Sequence, residues 1–172
     1  MVELLNEEKY SKLIHTNSFD EIVKSALSVV NKTNIIFPNE KMSLKDGLES
    51  DANKRIFSES LYNLLFDDAT FEERFNKFAH VLEELEACKW TIATYFPFLM
   101  FPKEHIFLKP TITQHAANIC AFEINYSPQL NWLTYKSVLE FSTYLWKSIE
   151  KEKPRDMIDI QSFMWCITPG KY

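Results

Sequence analysis

The sequence predicts an all-α fold, mainly helical, with about seven or eight helices and room for one short strand pair near Ile35 or Ile106. Three observations carry this. Apolar residues return at three- and four-residue steps over most of the chain. Ser/Thr-x-x-Glu/Gln signatures stand where three of these patterns begin, and in each the two side chains can satisfy amides that a helix start leaves free. The stretch from Lys89 to Pro110, KWTIATYFPFLMFPKEHIFLKP, is an almost unbroken aromatic and aliphatic run that has to be buried, and helices can pack around it.

Ser18-Phe19-Asp20-Glu21 is the first signature, and Ile22, Ala26, Val29 and Val30 behind it predict a helix over 19–31. Ile35-Ile36-Phe37-Pro38 breaks that period, so 31–40 reads as an extended connector pinned by a buried apolar triplet. A short helix is expected over 43–48. From Asp51, the spacing of Phe57, Leu61, Leu64 and Leu65 predicts a helix to about Phe66, and Asp67-Asp68-Ala69 turns the chain. Thr70-Phe71-Glu72-Glu73 opens the clearest helix, with Phe71, Phe75, Phe78, Leu82 and Leu85 on one face and charges on the other. In the aromatic run, Pro97, Pro102 and Pro110 argue against one continuous helix. Thr111-Ile112-Thr113-Gln114 is the third signature and begins a brief helix with Ile112, Ala116 and Ile119 inward. A turn over 125–129 leads into a long helix from Asn131 to about Lys151. Its stripes Val138-Phe141-Leu145-Ile149 and Tyr135-Leu139-Trp146 suit burial on more than one side. Pro154 stops it, and Asp156 caps a last helix over 157–167 with Ile160, Phe163, Met164 and Ile167 inward. Residues 1–50 read as an N-terminal helical segment with its connector and 51–172 as the main helical body, together one compact domain.

Composition narrows the function. A chain of 172 residues buries roughly 70% of its unfolded surface, enough for a proper core. It has 14 Phe but only 2 Gly, Gly47 and Gly170, and backbone cradles for phosphate need glycine, so the P-loop and the G-x-G-x-x-G fingerprint are excluded. No cofactor is expected. The formal charge of -5 gives no bulk attraction to nucleic acid or to anionic membrane. Cys88, Cys120 and Cys166 stand far apart, in odd number, and read as buried thiols of a reducing cytosol. The first residues turn acidic at once and lack the pattern of a signal peptide, while the run 90–101 is shorter than the ~20 residues that span a bilayer. A cytoplasmic protein with no membrane association is therefore expected.

The candidate ligand site is Lys103, His105, Lys109 and His115, four residues between two prolines and across a helix start, where cations and helix amides together suit a phosphate or carboxylate. The competing reading is a polar loop at the edge of the core, with lysine stems lying over aromatic rings. A nucleic-acid reading uses the same region: 111–120, a turn and the helix from Asn131 have helix-turn-helix proportions, with Trp132 and Tyr135 placed to stack on bases and Lys136 to meet phosphate. Acidic charge and the shortage of Arg, Lys, Asn and Gln at that helix start oppose it. His80 and Glu84 lie one helical turn apart, but no second Glu-x-x-His helix completes a di-metal site. Asp156 and Asp159 lack the lysine a metal nuclease pairs with them, and helix capping accounts for both. No metal site is expected. His115 and Cys120 fall on different helix faces and no Gly-x-Ser-x-Gly elbow exists, so no catalytic residue is assigned.

Trp90-Thr91-Ile92-Ala93-Thr94 with Phe96-Pro97, then Phe107-Leu108-Lys109-Pro110, Asn131-Trp132-Leu133-Thr134-Tyr135, and the block DMIDIQSFMW from Asp156 to Trp165 resemble blocks of a family of uncharacterised bacterial proteins. The resemblance covers the C-terminal half and implies a bacterial or phage-related origin and one functional unit over 89–167. It attaches no activity. The function expected is a non-enzymatic helical binding module, engaging a protein partner or another copy of itself within a bacterial nucleic-acid-processing or phage-defence system. The alternative is a nucleic-acid-binding or nuclease-associated domain.

Overall fold

The computed structural model describes residues 5–168, and every regular element among them is helical. Residues 1–4 of the N-terminal segment and 169–172 of the main body, Gly170 among them, lie outside the described residues. The helices are α1 (Glu7–His15), α2 (Phe19–Asn31), α3 (Pro38–Gly47), α4 (Asp51–Phe66), α5 (Phe71–Glu84), α6 (Trp90–Met100), α7 (Pro110–Ile119), α8 (Trp132–Ser148) and α9 (Met157–Ile167), with a 3-10 turn at Glu150–Glu152. The all-α class expected from sequence is what the chain adopts.

Helix starts follow side-chain chemistry. Thr70 and Glu73 form the predicted reciprocal cap: the Glu73 amide donates to Thr70 Oγ1 at 3.3 Å and the Thr70 amide to Glu73 Oε2 at 3.2 Å. Asn131 Oδ1 accepts from the Thr134 amide at 2.8 Å, and Asp156 Oδ1 accepts from the Ile158 and Asp159 amides at 2.9 and 3.3 Å. Two predicted caps are not made. Ser18 pairs its hydroxyl with that of Thr16 at 2.9 Å and makes no side-chain cap. At α7 the helix begins one residue before Thr111: Lys109 occupies the cap position and Pro110, which has no N–H to leave unpaired, takes the first turn.

Three helix ends close through a left-handed residue that is not glycine. Asn17, Glu86 and Ala121 all have φ between 51° and 54°. In each, the next amide reaches back five residues and its own amide three: Ser18 to Leu13 and Asn17 to Ile14, Ala87 to Leu82 and Glu86 to Glu83, Phe122 to Ala117 and Ala121 to Asn118. These are Schellman closures. Gly47 serves a different need, since a Cβ there would lie 2.3 Å from the Leu85 carbonyl oxygen, where the end of α3 meets the end of α5.

α4 packs on α5, α2 and α1, while α6 touches α3, α4 and α5, and α9 packs on α7 and α8. Buried apolar side chains from all nine helices among the described residues join one cluster. α6 lies within it: nine of its eleven residues, Trp90 to Phe98, are buried. The prolines argued against one continuous helix, and the run is indeed interrupted between Met100 and Pro110, although Pro97 is carried inside α6. Burial on every face outweighs the ~3 kcal/mol that an interior proline costs.

Other differences have local causes. α1 lacks a strong apolar period and goes unpredicted; Asn6 caps it and Tyr10, its one buried residue, donates to the Ser58 carbonyl at 3.0 Å. α3 starts at Pro38, well before 43, because proline suits a first turn and Glu40 accepts from the Phe37 amide at 2.9 Å. In the connector before it only Ile36 is fully buried, Ile35 is half-buried and Phe37 is 57% exposed. No strand forms among the described residues. The extended segment Ile106 to Leu108 has its backbone met by side chains: the Leu108 amide donates to Thr94 Oγ1 at 3.0 Å, and Tyr135 donates to the Ile106 carbonyl at 3.1 Å. The thiols are not fully buried as expected; Cys88 and Cys120 are half-buried and Cys166 is exposed.

Candidate functional site

The residues after α6 separate by environment within a few positions. Lys103 and Glu104 stand in solvent on the turn that closes α6, where the Glu104 and His105 amides both donate to the Phe101 carbonyl. His105 turns inward, 8% exposed, with its ring 4.0 Å from that of Phe71 and 6.3 and 6.4 Å from those of Phe101 and Tyr135. The Arg74 guanidinium lies over the other partner in this stack, 5.2 Å from the Phe71 ring, and donates to the Leu64 carbonyl. Burial, helped by the Arg74 charge, lowers the His105 pKa to about 4. The imidazole is therefore neutral at ordinary pH, and its Nδ1 is buried without a partner.

Lys109 faces a different element. Its ammonium donates to the Ile35 carbonyl at 2.7 Å and stands 3.5 Å above the Phe37 ring, tying the start of α7 to the connector ahead of α3. His115 is exposed on α7 and Lys136 on α8. The four residues of the expected anion site thus divide between open solvent, an aromatic stack on α5 and α8, and the 31–37 connector. Lysine over an aromatic ring, the competing reading, is what Lys109 does.

The proposed base-stacking pair divides as well. Trp132 is half-buried against Phe71 and Phe75, whereas Tyr135 is fully buried, its ring stacked on Phe75 at 5.0 Å and its hydroxyl spent on Ile106. No face of Tyr135 is open to a base. Asp159 places both oxygens on Arg155, at 2.9 and 3.0 Å, and also accepts from the Arg155 amide, which together hold its carboxyl down at about 2. Asp156 is occupied as the cap of α9. His80 and Glu83, 3.9 Å apart, are both in solvent. Among the described residues no group of three His, Cys, Asp or Glu side chains comes together as a metal would need.

What the fold does bring together lies along one edge of α9, between its buried and its exposed sides. Ile158, Gln161 and Trp165 share one face of that helix with Phe98 of α6 and Ile35 of the connector, and they enclose an open, almost wholly apolar cavity of about 310 Å³. A second cavity of about 210 Å³, lined by Phe37, Lys109, Thr111 and Ile112, shares Ile35 and Trp165 with it, so the two form one groove along the connector. Ile158 is 41% exposed although it is a large aliphatic residue. Gln161 is 8% exposed and neither its Oε1 nor its Nε2 has a partner, which in a folded interior costs on the order of 1–3 kcal/mol per group.

Sequence reasoning missed Gln161. The signal was there: Met157, Ile160, Gln161 and Met164 form the inward positions of α9, and a glutamine among them is a polar residue in an apolar register. Ile35 and Phe98 could not be joined to α9 by any spacing rule, because only the tertiary fold brings 35, 98 and 161 together.

No helix among the described residues is long and apolar enough to cross a membrane. Comparison with protein-family models, with curated proteins and with solved structures finds no match to this chain, so the fold and the groove are read from its own residues.

Proposed function

We propose that this protein is a non-enzymatic binding module that docks a protein partner in the groove between the 31–37 connector and α9. One observation carries the reading: Ile158, Trp165, Phe98 and Ile35 line an open, almost wholly apolar cavity. Concave, predominantly apolar clefts are where proteins take up apolar groups of a partner. Exposed apolar surface of this kind marks docking faces. Nucleic acid is the weaker choice, because Tyr135 and His105 sit in the core and the net charge is -5. We place the module in the bacterial cytosol, in the company of a nucleic-acid-processing or phage-defence system, on the strength of the sequence blocks that resemble bacterial proteins.

Site-directed photo-cross-linking tests this. A photoreactive side chain at position 158 captures one defined protein in cells that carry the gene, and the same group at exposed Glu72 on α5 does not. Equal capture at both positions would contradict the reading.

A further inference from the structure

The connector between α2 and α3 is fastened by side chains rather than by backbone pairing. Among the described residues, no amide from Thr33 to Phe37 donates to a backbone carbonyl; Ile35 donates to Thr33 Oγ1 at 3.3 Å and Phe37 to Glu40 Oε2 at 2.9 Å. Its carbonyls are clasped by lysines from elsewhere in the chain. The Lys41 ammonium of α3 donates to Asn31 and Thr33, and that of Lys109, ahead of α7, donates to Ile35 at 2.7 Å. One side chain between Lys32 and Phe37, that of Ile36, is fully buried. A helical backbone loses its bonds only by unwinding, whereas each of these clasps opens by a change of rotamer, so the segment belongs to the low-stability end of the fold.

Its position gives such opening a consequence. Ile35 lines both cavities of the groove. The flanks are firm, since α2 runs to Asn31 and Pro38 begins α3 with its backbone preset, which leaves the residues between them to absorb a motion. We propose that residues 32–37 are a strap that lifts as a unit, with Ile36 leaving its seat in the core, and that lifting joins the two cavities into one cleft lined by Phe98, Ile112 and Trp165. The strap is a lid, and its position sets how long a cleft the protein presents. The motion belongs to the free chain and does not depend on what docks there.

Methyl NMR of the full chain labelled at isoleucine Cδ1, read by relaxation dispersion and saturation transfer, tests this. Ile35 and Ile36 should report one shared minor state that Ile22 of α2 and Ile124 ahead of α8 do not sense. Ile36→Val deletes one buried methyl from the closed state alone, so the minor population read at Ile35 should rise roughly three- to ten-fold. Ile22→Val, the same deletion at a fully buried site in α2, should lower Tm and leave that population unchanged. Absence of a minor state at Ile35 in both wild type and Ile36→Val overturns the proposal. A minor state shared at equal rate and population by Ile22 and Ile124 also overturns it, since that is unfolding of the whole chain. No partner enters this measurement, so its failure leaves the docking reading standing, and failure of the position-158 cross-link leaves the strap standing.

Discussion

His105 shows how a residue chosen for chemistry can belong to the core. Histidine between prolines, near two lysines, suggests an anion site, but its ring lies against Phe71 and Tyr135 with a partnerless Nδ1. Its pKa is lowered to about 4, chiefly by desolvation and then by Arg74, the charged group that faces it from α5. In the unfolded chain it titrates near 6.5. Above that pH both states are neutral and His105 adds nothing to the pH dependence. As pH falls from 6.5 toward 4 the unfolded chain takes up a proton that the folded one refuses, so stability drops, by on the order of 3 kcal/mol at most. Urea unfolding at pH 7 and pH 4.5 checks this: His105→Phe, which keeps the ring contacts, should lose a large part of the difference seen in wild type. An unchanged difference would mean that His105 is not the group responsible. Gln161 is the complementary case, a residue that sequence reading passed over and whose amide the fold leaves unpaired.

Among the elements, the ends at Asn31, Phe66 and Ile167 fall where the sequence put them, and the starts divide between caps that are made and caps that are not. Thr70, Asn131 and Asp156 cap the helices that their types and spacing indicated, because a cap is a contact between residues two or three apart. Ser18 and Thr111 carry the same letters and do not cap, since the chain enters α2 with Ser18 turned to Thr16 and enters α7 through Pro110. The run 89–110 is broken as its prolines indicated, after Met100 and up to Pro110; Pro97 alone is carried inside a helix, because burial on all sides decides α6. Three ends close through a left-handed residue, Asn17, Glu86 and Ala121, and of these only asparagine favours that conformation. That has a measurable consequence. A left-handed non-glycine residue costs about 1–2 kcal/mol, partly offset by the greater freedom glycine has when unfolded. Ala121→Gly and Glu86→Gly should therefore each raise stability by about 0.5–1 kcal/mol, seen as a higher denaturant midpoint at constant slope. Destabilisation by both would show that the closures are not strained.

At the scale of the whole molecule, the fold class was readable because it depends on periodicity, and the groove was not, because it depends on where segments far apart in sequence converge. The helices bury their apolar stripes in one cluster, and around α9 that burial is incomplete: Ile158 stays open and Gln161 stays unpaired. The central claim is that this incomplete face is where a protein partner docks. Ile158 is 41% exposed, so a charge there leaves the core intact while placing a carboxylate in the apolar groove. The most direct measurement is the affinity of wild type and Ile158→Glu, matched for Tm, for the protein captured from position 158. The account predicts binding weaker by roughly 30-fold or more. Equal affinity of the two proteins would contradict it.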